Sequence, residues 1–409
     1  MAISKFIVMA YRDLVRNRRR TALTALAVAL GLVVVMAFSS LLDGMIESML
    51  ADNIRLSSGH LQVRNESYDA GKASLLSRDL LEDGEAWSAE VESLAEVDSS
   101  APVLWIGGLL NTAQESTGIN IVGINPADDF HAPIREGIVA GEYLSSDDRG
   151  KVLVGRSLAN QMGISVGQRV SLAASDANGV GQEAVFTVTG LVDTGYPSID
   201  YHRVLLPMAQ AQSFADVGDR FSSLILILDD QEASAAVAAK IQGTETQIVT
   251  WQELNKLILE SVENGMIFYY VLYGIVFLAV AVLIANTLLM SVFARAREIG
   301  ILASLGMNGR QIMLLFLLEG LLVALFGIAL GWVLGLGVVS WLTFVGFSIP
   351  AETATMVEGF AFGTTMKGGF ALDQFLILSF MLLAVVSLVS LYPAWYAARM
   401  EPVEALHSI

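Results

Sequence analysis

The sequence predicts an α-helical membrane protein with four transmembrane helices and a large extracytoplasmic α+β domain between helices 1 and 2. Three observations lead to this fold class. Hydrophobic residues make up 54% of the 409 residues, and the mean hydropathy is +0.58. The apolar residues concentrate in four long runs. A mixed pattern of short strands and helices separates the first run from the second. This composition is too apolar for an ordinary soluble protein of the same length.

Each of the four runs is long enough to cross a bilayer, which takes about 20 apolar residues in a helix. The runs cover residues 22–42, 265–294, 311–351 and 374–398, and the third contains a single acid, Glu319. A secretory signal peptide is the alternative for the first run. Its apolar core is too long for one, and no small-residue cleavage site follows, so we expect a retained membrane helix.

Lysine and arginine near the runs predict the orientation, because cytoplasmic loops carry an excess of these residues. Six basic residues precede the first run, and three more lie between the second and third. The loop between the third and fourth offers only Lys367. We therefore expect both termini and the segment 295–310 to be cytoplasmic. The chain should therefore pass through the membrane several times, with the segment 43–264 on the side opposite the cytoplasm.

This pattern divides the chain into nine segments. In order, they are a basic N-terminal segment (1–20), transmembrane helix 1 with a stalk (21–56), an extracytoplasmic α+β domain (57–250), a stalk with transmembrane helix 2 (251–294), a short cytoplasmic helix (295–310), transmembrane helix 3 (311–347), an extracytoplasmic loop (348–371), transmembrane helix 4 (372–398) and a cytoplasmic tail (399–409).

The segment 57–250 is expected to fold on its own core, because about 200 residues of alternating strand and helix patterns suffice for a domain. Predicted strands are 60–65, 101–110, 118–124, 151–155, 167–175, 183–192, 222–230 and 246–251. Short helices are predicted at 156–163, closed by Gly163, and at 231–243, closed by Gly243. The Asn-Gly pair at 178–179 predicts a hairpin turn.

Composition also excludes several kinds of chemistry. The chain has no phosphate-binding loop motif, no H-E-x-x-H and no cysteine, and its four histidines are scattered. We therefore predict no catalytic residues, no metal site and no cofactor bound by this chain. The net charge of −17 argues against a nucleic-acid partner, which requires a basic face. Membrane lipid is expected to surround the four apolar runs.

Three segments together resemble the FtsX-like family of ABC transporter permeases. They are "AYRDLVRNRRRTALTALAVALGLVVVM" (10–36), "ARAREIGILASLGMNGRQIMLLFLLEGLLVALFGIALG" (294–331) and "YPAWYAARMEPVEALHSI" (392–409). The middle segment is the most specific. The resemblance implies a complex of two permeases, homodimeric or heterodimeric, with a cytoplasmic dimer of separate ATPase subunits, which would bind the ATP and magnesium.

The resemblance further implies that the segment between the second and third runs is a coupling helix that docks on the ATPase. The residues themselves agree, since charged and apolar side chains recur there at helical spacing and Gly306 and Gly309 are expected to stop the helix. A helix lying on lipid is the alternative. The predicted coupling residues are Arg295, Arg297, Glu298, Ile299, Gly300, Ile301, Leu302, Leu305, Gly306 and Arg310.

Within this family, the length of the chain and the segment 57–71 look more like the lipoprotein-releasing branch than the macrolide-exporter branch, whose members usually carry a fused ATPase. That implies a location in the inner membrane of a Gram-negative bacterium and extraction of lipoprotein or related lipidated cargo, with a periplasmic chaperone or adaptor as a further partner. The hairpin 173–184, where chaperone binding would be expected, lacks proline and aromatic residues. Two alternatives stay open: a permease that regulates a periplasmic partner mechanically, and export of drugs or peptides.

An acyl chain would need an apolar chamber, and methionine adapts to varied shapes. Candidate chamber residues are Met36, Phe38, Leu41, Leu42, Met45, Met266, Ile267 and Tyr270. For the aromatic residues near 268–273, a belt at the membrane interface is the favoured interpretation. Glu319, the acid inside the third run, must face other helices or reach the interface. Asn286 and Ser291 are its expected partners, in a structural contact or a mechanistic switch.

Overall fold

The computed structural model describes residues 3–241, 246–348 and 365–400. The chain forms two compact units. A helical unit comprises residues 1–46, 262–347 and 366–409, and a sheet unit comprises residues 47–261 and 348–365. Most of the predicted loop 348–371, Gly243 and nearly all of the predicted tail lie outside the described residues.

Four helices are long and apolar enough to cross a membrane among the residues that the structure describes. They are α2 (Arg18–Asn53), α10 (Lys256–Ala294), α12 (Gly309–Phe344) and α13 (Leu372–Ala398). Two shorter helices accompany them: α1 (Ile3–Arg16) and α11 (Ala296–Ser304). Two-residue strands β11 (Phe347–Ser348) and β12 (Thr365–Met366) pair with each other.

Helix α1 occupies the segment that the sequence indicated only as a basic stretch. Phe6, Ala10 and Leu14 recur every four residues and are buried. Because this spacing puts them on one face of a helix, they pack together against α12 near Leu315 and Val323. The opposite face of α1 is exposed. Helix α2 then begins at Arg18, so basic residues occupy both helices.

Helices α2 and α12 approach each other closely along a row of glycines. Gly327, Gly331 and Gly335 recur every four residues, an arrangement that lets two backbones come together in a membrane. A Cβ atom placed on Gly327 would lie 2.5 Å from a side-chain carbon of Val28. The corresponding atoms on Gly331 and Gly335 would lie within about 3 Å of α2 side chains. The glycines therefore make room for α2.

The sheet unit is built on one sheet of ten strands. The strands are β1 (Leu61–Asn65), β2 (Val97–Asn111), β3 (Ser116–Ile124), β4 (Ile138–Gly141), β5 (Lys151–Gly155), β6 (Arg169–Ser175), β7 (Gly181–Val192), β8 (Arg203–Pro207), β9 (Ser223–Leu228) and β10 (Thr246–Thr250). Their order is β10-β1-β9-β2-β3-β8-β5-β7-β4, and β6 pairs with both β2 and β7. Only the β3–β8 and β5–β7 pairings among the described strands are parallel.

Short helices connect the strands and cover the sheet. They are α3 (Gly84–Val91), α4 (Ala132–Glu136), α5 (Arg156–Met162), α6 (Pro197–Asp200), α7 (Met208–Ala215), α8 (Ser234–Ala238) and α9 (Trp251–Leu254). Gly163 ends α5 with a φ of 64°, as the sequence indicated. Helix α8 is shorter than the predicted helix 231–243. Gln231–Ala233 form a 3-10 turn before it, and α8 ends at Ala238.

A π turn, Ile54–Ser58, joins α2 to β1. The Gly59 amide donates to the Ile54 carbonyl at 2.8 Å and closes the turn. Arg203 of β8 reaches into it, and its guanidinium donates to the Leu56 carbonyl and to the Ser57 hydroxyl, both at 2.7 Å. The guanidinium carbon also lies 5.7 Å from the centre of the Trp105 ring. The half-buried guanidinium of Arg203 thereby fixes the turn.

Candidate functional site

Helix α11 lies between α10 and α12, where the sequence predicted a coupling helix. It ends at Ser304, and Gly306 follows with a φ of 94°, a conformation that glycine adopts without strain. Gly309 does not stop the helix, contrary to the prediction, because it is the first residue of α12. Asn308 and Gln311 form a capping box that starts α12 there. Gly309 instead allows close packing, since a Cβ atom would lie 2.8 Å from the Ala398 carbonyl oxygen.

The predicted coupling residues, which lie on α11, just before and after it and at the start of α12, divide into an exposed and a buried set. Arg297, Glu298, Ile301, Leu305 and Arg310 are exposed, and Leu305 is the most exposed of the leucines there, at 80%. Leu302 is half-buried. Ile299 and Gly300 are buried, and Ile299 packs in an apolar cluster of the same chain with Val292, Ile312, Phe316, Ala394 and Ala397. The spacing of the apolar residues suggested that Ile299 could fill a groove on a partner. Because it is buried within its own chain, it is not available for that contact.

Arg295, at the start of α11, faces inward as well. Its guanidinium binds three carboxylates: Nε donates to Glu298 at 3.1 Å, Nη1 to Glu319 at 3.1 Å and Nη2 to Asp13. Its side chain is 8% exposed. The Phe316 ring lies beneath the guanidinium, 5.6 Å from its carbon. Arg295 is one of the predicted coupling residues, and its side chain lies inside the chain instead of on the exposed face of α11.

Glu319, one of the three carboxylates that Arg295 binds, has two further polar neighbours, Ser291 and Arg20. Ser291, one of its two expected partners, donates to the Glu319 carboxylate at 3.3 Å. Arg20 donates to the Ser291 hydroxyl at 2.8 Å and lies 3.8 Å from the same carboxylate. Asn286, the other expected partner, is exposed. The sequence interpretation missed both arginines, although an acid within a membrane span calls for a basic partner and Arg20 and Arg295 flank the first two spans.

The Arg16–Glu298 pair lies at the exposed edge of the cluster. Arg16 donates to both carboxylate oxygens of Glu298 at 2.8 Å, and about half of each side chain is exposed. The hydrogen bond from Arg16, followed by that from Arg295, lowers the pKa of Glu298. Solvent screens such a pair, so its contribution to stability is small. We define the ionic cluster as Asp13, Arg16, Arg20, Arg295, Glu298 and Glu319, with Ser291 as a bridging hydroxyl.

The predicted chamber residues have different surroundings. Met36 is fully buried against Gly335 of α12, because that glycine leaves space that the methionine fills. It therefore lies in the core of the helical unit and is not a chamber residue. Leu41, Leu42 and Met45 are half-buried, whereas Phe38 on α2 is exposed. Met266, Ile267 and Tyr270 on α10 are exposed too.

The hairpin 173–184 joins β6 to β7, and its tip is tied to the rest of the sheet unit. The Asp176 carboxylate accepts hydrogen bonds from the Asn178 and Val180 amides and from the Gln182 side chain, at 2.8–2.9 Å. The Ala177 amide donates to the Ala215 carbonyl at 2.9 Å. These bonds, the one from Gln182 first, lower the pKa of Asp176. The tip is a compact turn with one exposed apolar side chain, Val180.

His131 is a buried titratable group of the sheet unit. Its ring is 2% exposed, packs edge-on against Phe130, and neither ring nitrogen has a hydrogen-bond partner among the described residues. Burial, together with the charges of Arg203 and Arg135, lowers the pKa of His131 to about 3. The folded protein thus keeps this imidazole neutral, whereas the unfolded chain binds a proton below its ordinary pKa of 6.5.

This difference in pKa predicts a pH-dependent stability. The free energy of unfolding falls as the pH decreases from about 6.5 toward 3. In this range the unfolded chain binds a proton at His131, whereas the folded protein does not. Between pH 7 and pH 5, the intact protein should lose about 2 kcal/mol more unfolding free energy than His131→Leu. Denaturant unfolding in detergent at both pH values measures this. Phe130→Leu is the matched control and should keep the pH dependence of the unsubstituted protein. Equal losses in His131→Leu and the unsubstituted protein would contradict the prediction.

Two family models match the chain, and together they cover both units. A model described as MacB-like periplasmic core domain matches residues 21–244, which is more than half of the chain. A model described as FtsX-like permease C-terminal matches residues 270–402, the segment that contains α11, α12 and α13. The second match includes the segment 294–331, whose motif gave the most specific resemblance in the sequence.

Relatives with curated names agree with these matches. The chain is 25% identical to the lipoprotein-releasing system transmembrane protein LolC of Neisseria meningitidis over 75% of this chain and 77% of that one. It is 24% identical to LolC of Xylella fastidiosa over 93% and 92%. It is also 26% identical to the macrolide export ATP-binding/permease protein MacB of Hyphomonas neptunium, over 99% of this chain but 61% of the relative.

The family predicted from the sequence motifs is thus confirmed by models that together span most of the chain. The C-terminal match contains Arg295 and Glu319, and the N-terminal match contains nearly all of α2 and nine of the ten strands of the sheet, β1 to β9. The chain belongs to the FtsX-like family of ABC transporter permeases, in the form that carries a MacB-like periplasmic core domain.

Proposed function

We propose that this chain is the permease subunit of an ABC transporter that couples ATP hydrolysis by a separate ATPase subunit to extraction of lipoprotein, or related lipidated cargo, from the inner membrane toward the outer membrane. The observation that carries the coupling part is the two-faced helix α11. Arg297, Ile301 and Leu305 are exposed on it, while Ile299 and Arg295 are fixed inside the chain. A short helix held from one side and open on the other suits docking into a groove.

The proposed topology places both termini and α11 in the cytoplasm and the sheet unit in the periplasm. The bias of lysine and arginine toward the terminal segments and 295–310 supports it. The proposed assembly contains two permeases, identical or different, and a dimer of ATPase subunits that bind ATP and magnesium. A periplasmic chaperone or adaptor is a further proposed partner, although the short tied tip of the hairpin 173–184 gives it little apolar surface.

Lipoprotein is the cargo that the relatives favour. The relatives named as lipoprotein-releasing proteins are matched over up to 92% of their own length, whereas the macrolide export relative is matched over 61%. In this proposal, the acyl chains contact exposed and half-buried apolar residues on α2 and α10, namely Phe38, Leu41, Leu42, Met45, Met266, Ile267 and Tyr270.

Export of drugs or peptides remains the second candidate, because the macrolide export relative aligns with 99% of this chain. Mechanical regulation of a periplasmic partner is the third.

Leu305→Asp tests the docking face. The substitution puts a charge where an apolar contact is proposed, so co-purification of the ATPase subunit should fall by about 10-fold or more, since a central contact contributes about 2 kcal/mol. Affinity purification in mild detergent with quantification of both subunits measures this. Leu257→Asp is the matched control, because Leu257 at the start of α10 is also 80% exposed. Undiminished ATPase recovery with Leu305→Asp would count against docking on α11.

Purification of the unsubstituted chain from its native membrane, with mass spectrometry of the bound proteins and lipids, tests the cargo. Recovery of a triacylated lipoprotein supports extraction. Recovery of a periplasmic hydrolase or its activator, without lipoprotein, would favour mechanical regulation instead. An adaptor with an outer-membrane channel would favour export of drugs or peptides.

A further inference from the structure

Arg295 connects three helices through one side chain. Its guanidinium binds Asp13 on α1, Glu298 on α11 and Glu319 on α12, while Arg295 itself is the residue just before α11. Ser291 and Arg20 extend the contacts to α10 and α2 through the Glu319 carboxylate. The start of α11 is therefore bound to the neighbouring helices of the helical unit by hydrogen bonds to charged groups, which are stronger than neutral ones.

The ionic cluster has equal numbers of positive and negative side chains, and its centre is buried. It contains three arginines and three carboxylates, and Arg295 and Glu319 at its centre are 8% and 3% exposed. A buried charge that loses its partner is strongly destabilising, so these contacts resist separation more than an exposed pair does. The planar guanidinium offers donors in a fixed fork that reaches all three carboxylates at once. A lysine ammonium keeps the charge but lacks this fork.

Apolar packing fixes the buried face of α11 a turn further along. Ile299 lies in the cluster formed with Val292 of α10, Ile312 and Phe316 of α12, and two alanines of α13. The ionic contacts at the start of α11 and the apolar contacts at its middle thus hold the helix on the same side. Leu305, at the far end, is free of both. A displacement applied to the exposed face would pass into the chain through these two sets of contacts.

We propose that Arg295 is a positioning residue that makes α11, α1 and α12 move together when an ATPase acts on α11. This inference rests on the proposed function, because it requires an ATPase docked on α11. It assigns Arg295 a role in transmitting motion, distinct from the docking contact itself. Chains of packed side chains, hydrogen bonds and ion pairs of this kind can carry coupling between distant sites.

Arg295→Lys tests the proposal while preserving the buried positive charge. The permease–ATPase complex is reconstituted in proteoliposomes with a triacylated lipoprotein, and three quantities are measured: ATPase recovered with the permease, ATP hydrolysed and lipoprotein released. ATPase recovery should be unchanged, whereas lipoprotein released per ATP should fall by about 10-fold, within the usual range of coupling energies. Arg12→Lys is the matched control, since it makes the same change at an exposed arginine of α1 that lies outside the ionic cluster, and it should leave the ratio unchanged.

A second measurement does not depend on the cargo or on the yield of release. The sequence contains no cysteine, so Val8→Cys on α1 and Ser304→Cys on α11 place two unique spin labels at exposed positions. Pulsed electron spin resonance then gives the distance between them, with the ATPase in its nucleotide-free and vanadate-trapped states. With Arg295 present, one narrow distance should persist in both states. With Arg295→Lys, the trapped state should give a broadened or second distance.

The outcomes separate the two proposals. If the unsubstituted chain neither retains an ATPase nor stimulates its hydrolysis, the proposed function fails and the positioning role fails with it. If the unsubstituted complex couples hydrolysis to release, and Arg295→Lys keeps both the release ratio and the single distance, only the positioning role is overturned. A purely structural role would lower ATPase recovery and release together, and this result would also overturn the proposal.

Discussion

Glu319→Ala is expected to lower the free energy of unfolding of the protein by about 3 kcal/mol, because it leaves buried positive charge without its carboxylate. Glu319 is 3% exposed, and it accepts hydrogen bonds from Arg295 at 3.1 Å and from Ser291 at 3.3 Å. Arg20 lies 3.8 Å away. After the substitution, the cluster keeps three arginines but only two carboxylates. Unfolding in detergent micelles, followed by circular dichroism or thermal melting, measures the loss.

Glu298→Ala is the control for this prediction. It removes a carboxylate from the same cluster, but Glu298 is 47% exposed and water can replace it around Arg16. Its expected cost is below about 1 kcal/mol. A similar loss of stability in both variants would show that burial does not set the strength of the cluster, contrary to the prediction.

Gly327→Ala is expected to have the second large effect, a loss of about 2 kcal/mol of stability from overpacking. The added methyl group would lie 2.5 Å from the Val28 Cβ atom and 2.9 Å from the Ala25 carbonyl oxygen. Because the second of these atoms belongs to the backbone, no side-chain rotation can relieve the clash, and α2 must move away from α12. Thermal unfolding in detergent measures the loss, and the yield of protein in the membrane should fall with it.

Gly337 on the same helix provides the matched control. A Cβ atom there would meet nothing within 4 Å, and alanine favours a helix more than glycine does. Gly337→Ala should therefore leave stability unchanged or raise it slightly. Equal losses in the two variants would indicate that glycine at these positions serves helix flexibility instead of close packing.

The candidate membrane helices could be predicted well from the sequence because a charge-free run of more than 20 residues is a strong signal. The strands with clear alternation or flanking turns, such as β2, β6 and β7, were also found. Strands β4 and β8 were missed. β4 has only four residues, and β8 is a short apolar run with no alternation, because in the sheet it lies between β3 and β5. Periodicity alone cannot distinguish such a run from part of a buried helix.

The position of α11 could be predicted, but the direction of its side chains could not. Helical spacing places Ile299 and Leu302 near one face without showing whether that face meets a partner or the same chain. The contacts of Arg295 could not be predicted either, because Asp13, one of its carboxylate partners, lies 282 residues away in sequence. The glycine row Gly327–Gly331–Gly335 was visible in the sequence and is a known packing signal, but the sequence interpretation did not use it.

The π turn Ile54–Ser58 has a consequence for how the chain can vary in length. Arg203 donates to acceptors on two successive residues of the turn, Leu56 and Ser57. Deleting or inserting one residue would rotate these acceptors by roughly a quarter of a turn about the helix axis, away from the guanidinium. A half-buried guanidinium that loses its acceptors is unfavourable. The turn can therefore accept many substitutions that keep these two acceptors, but its number of residues is fixed.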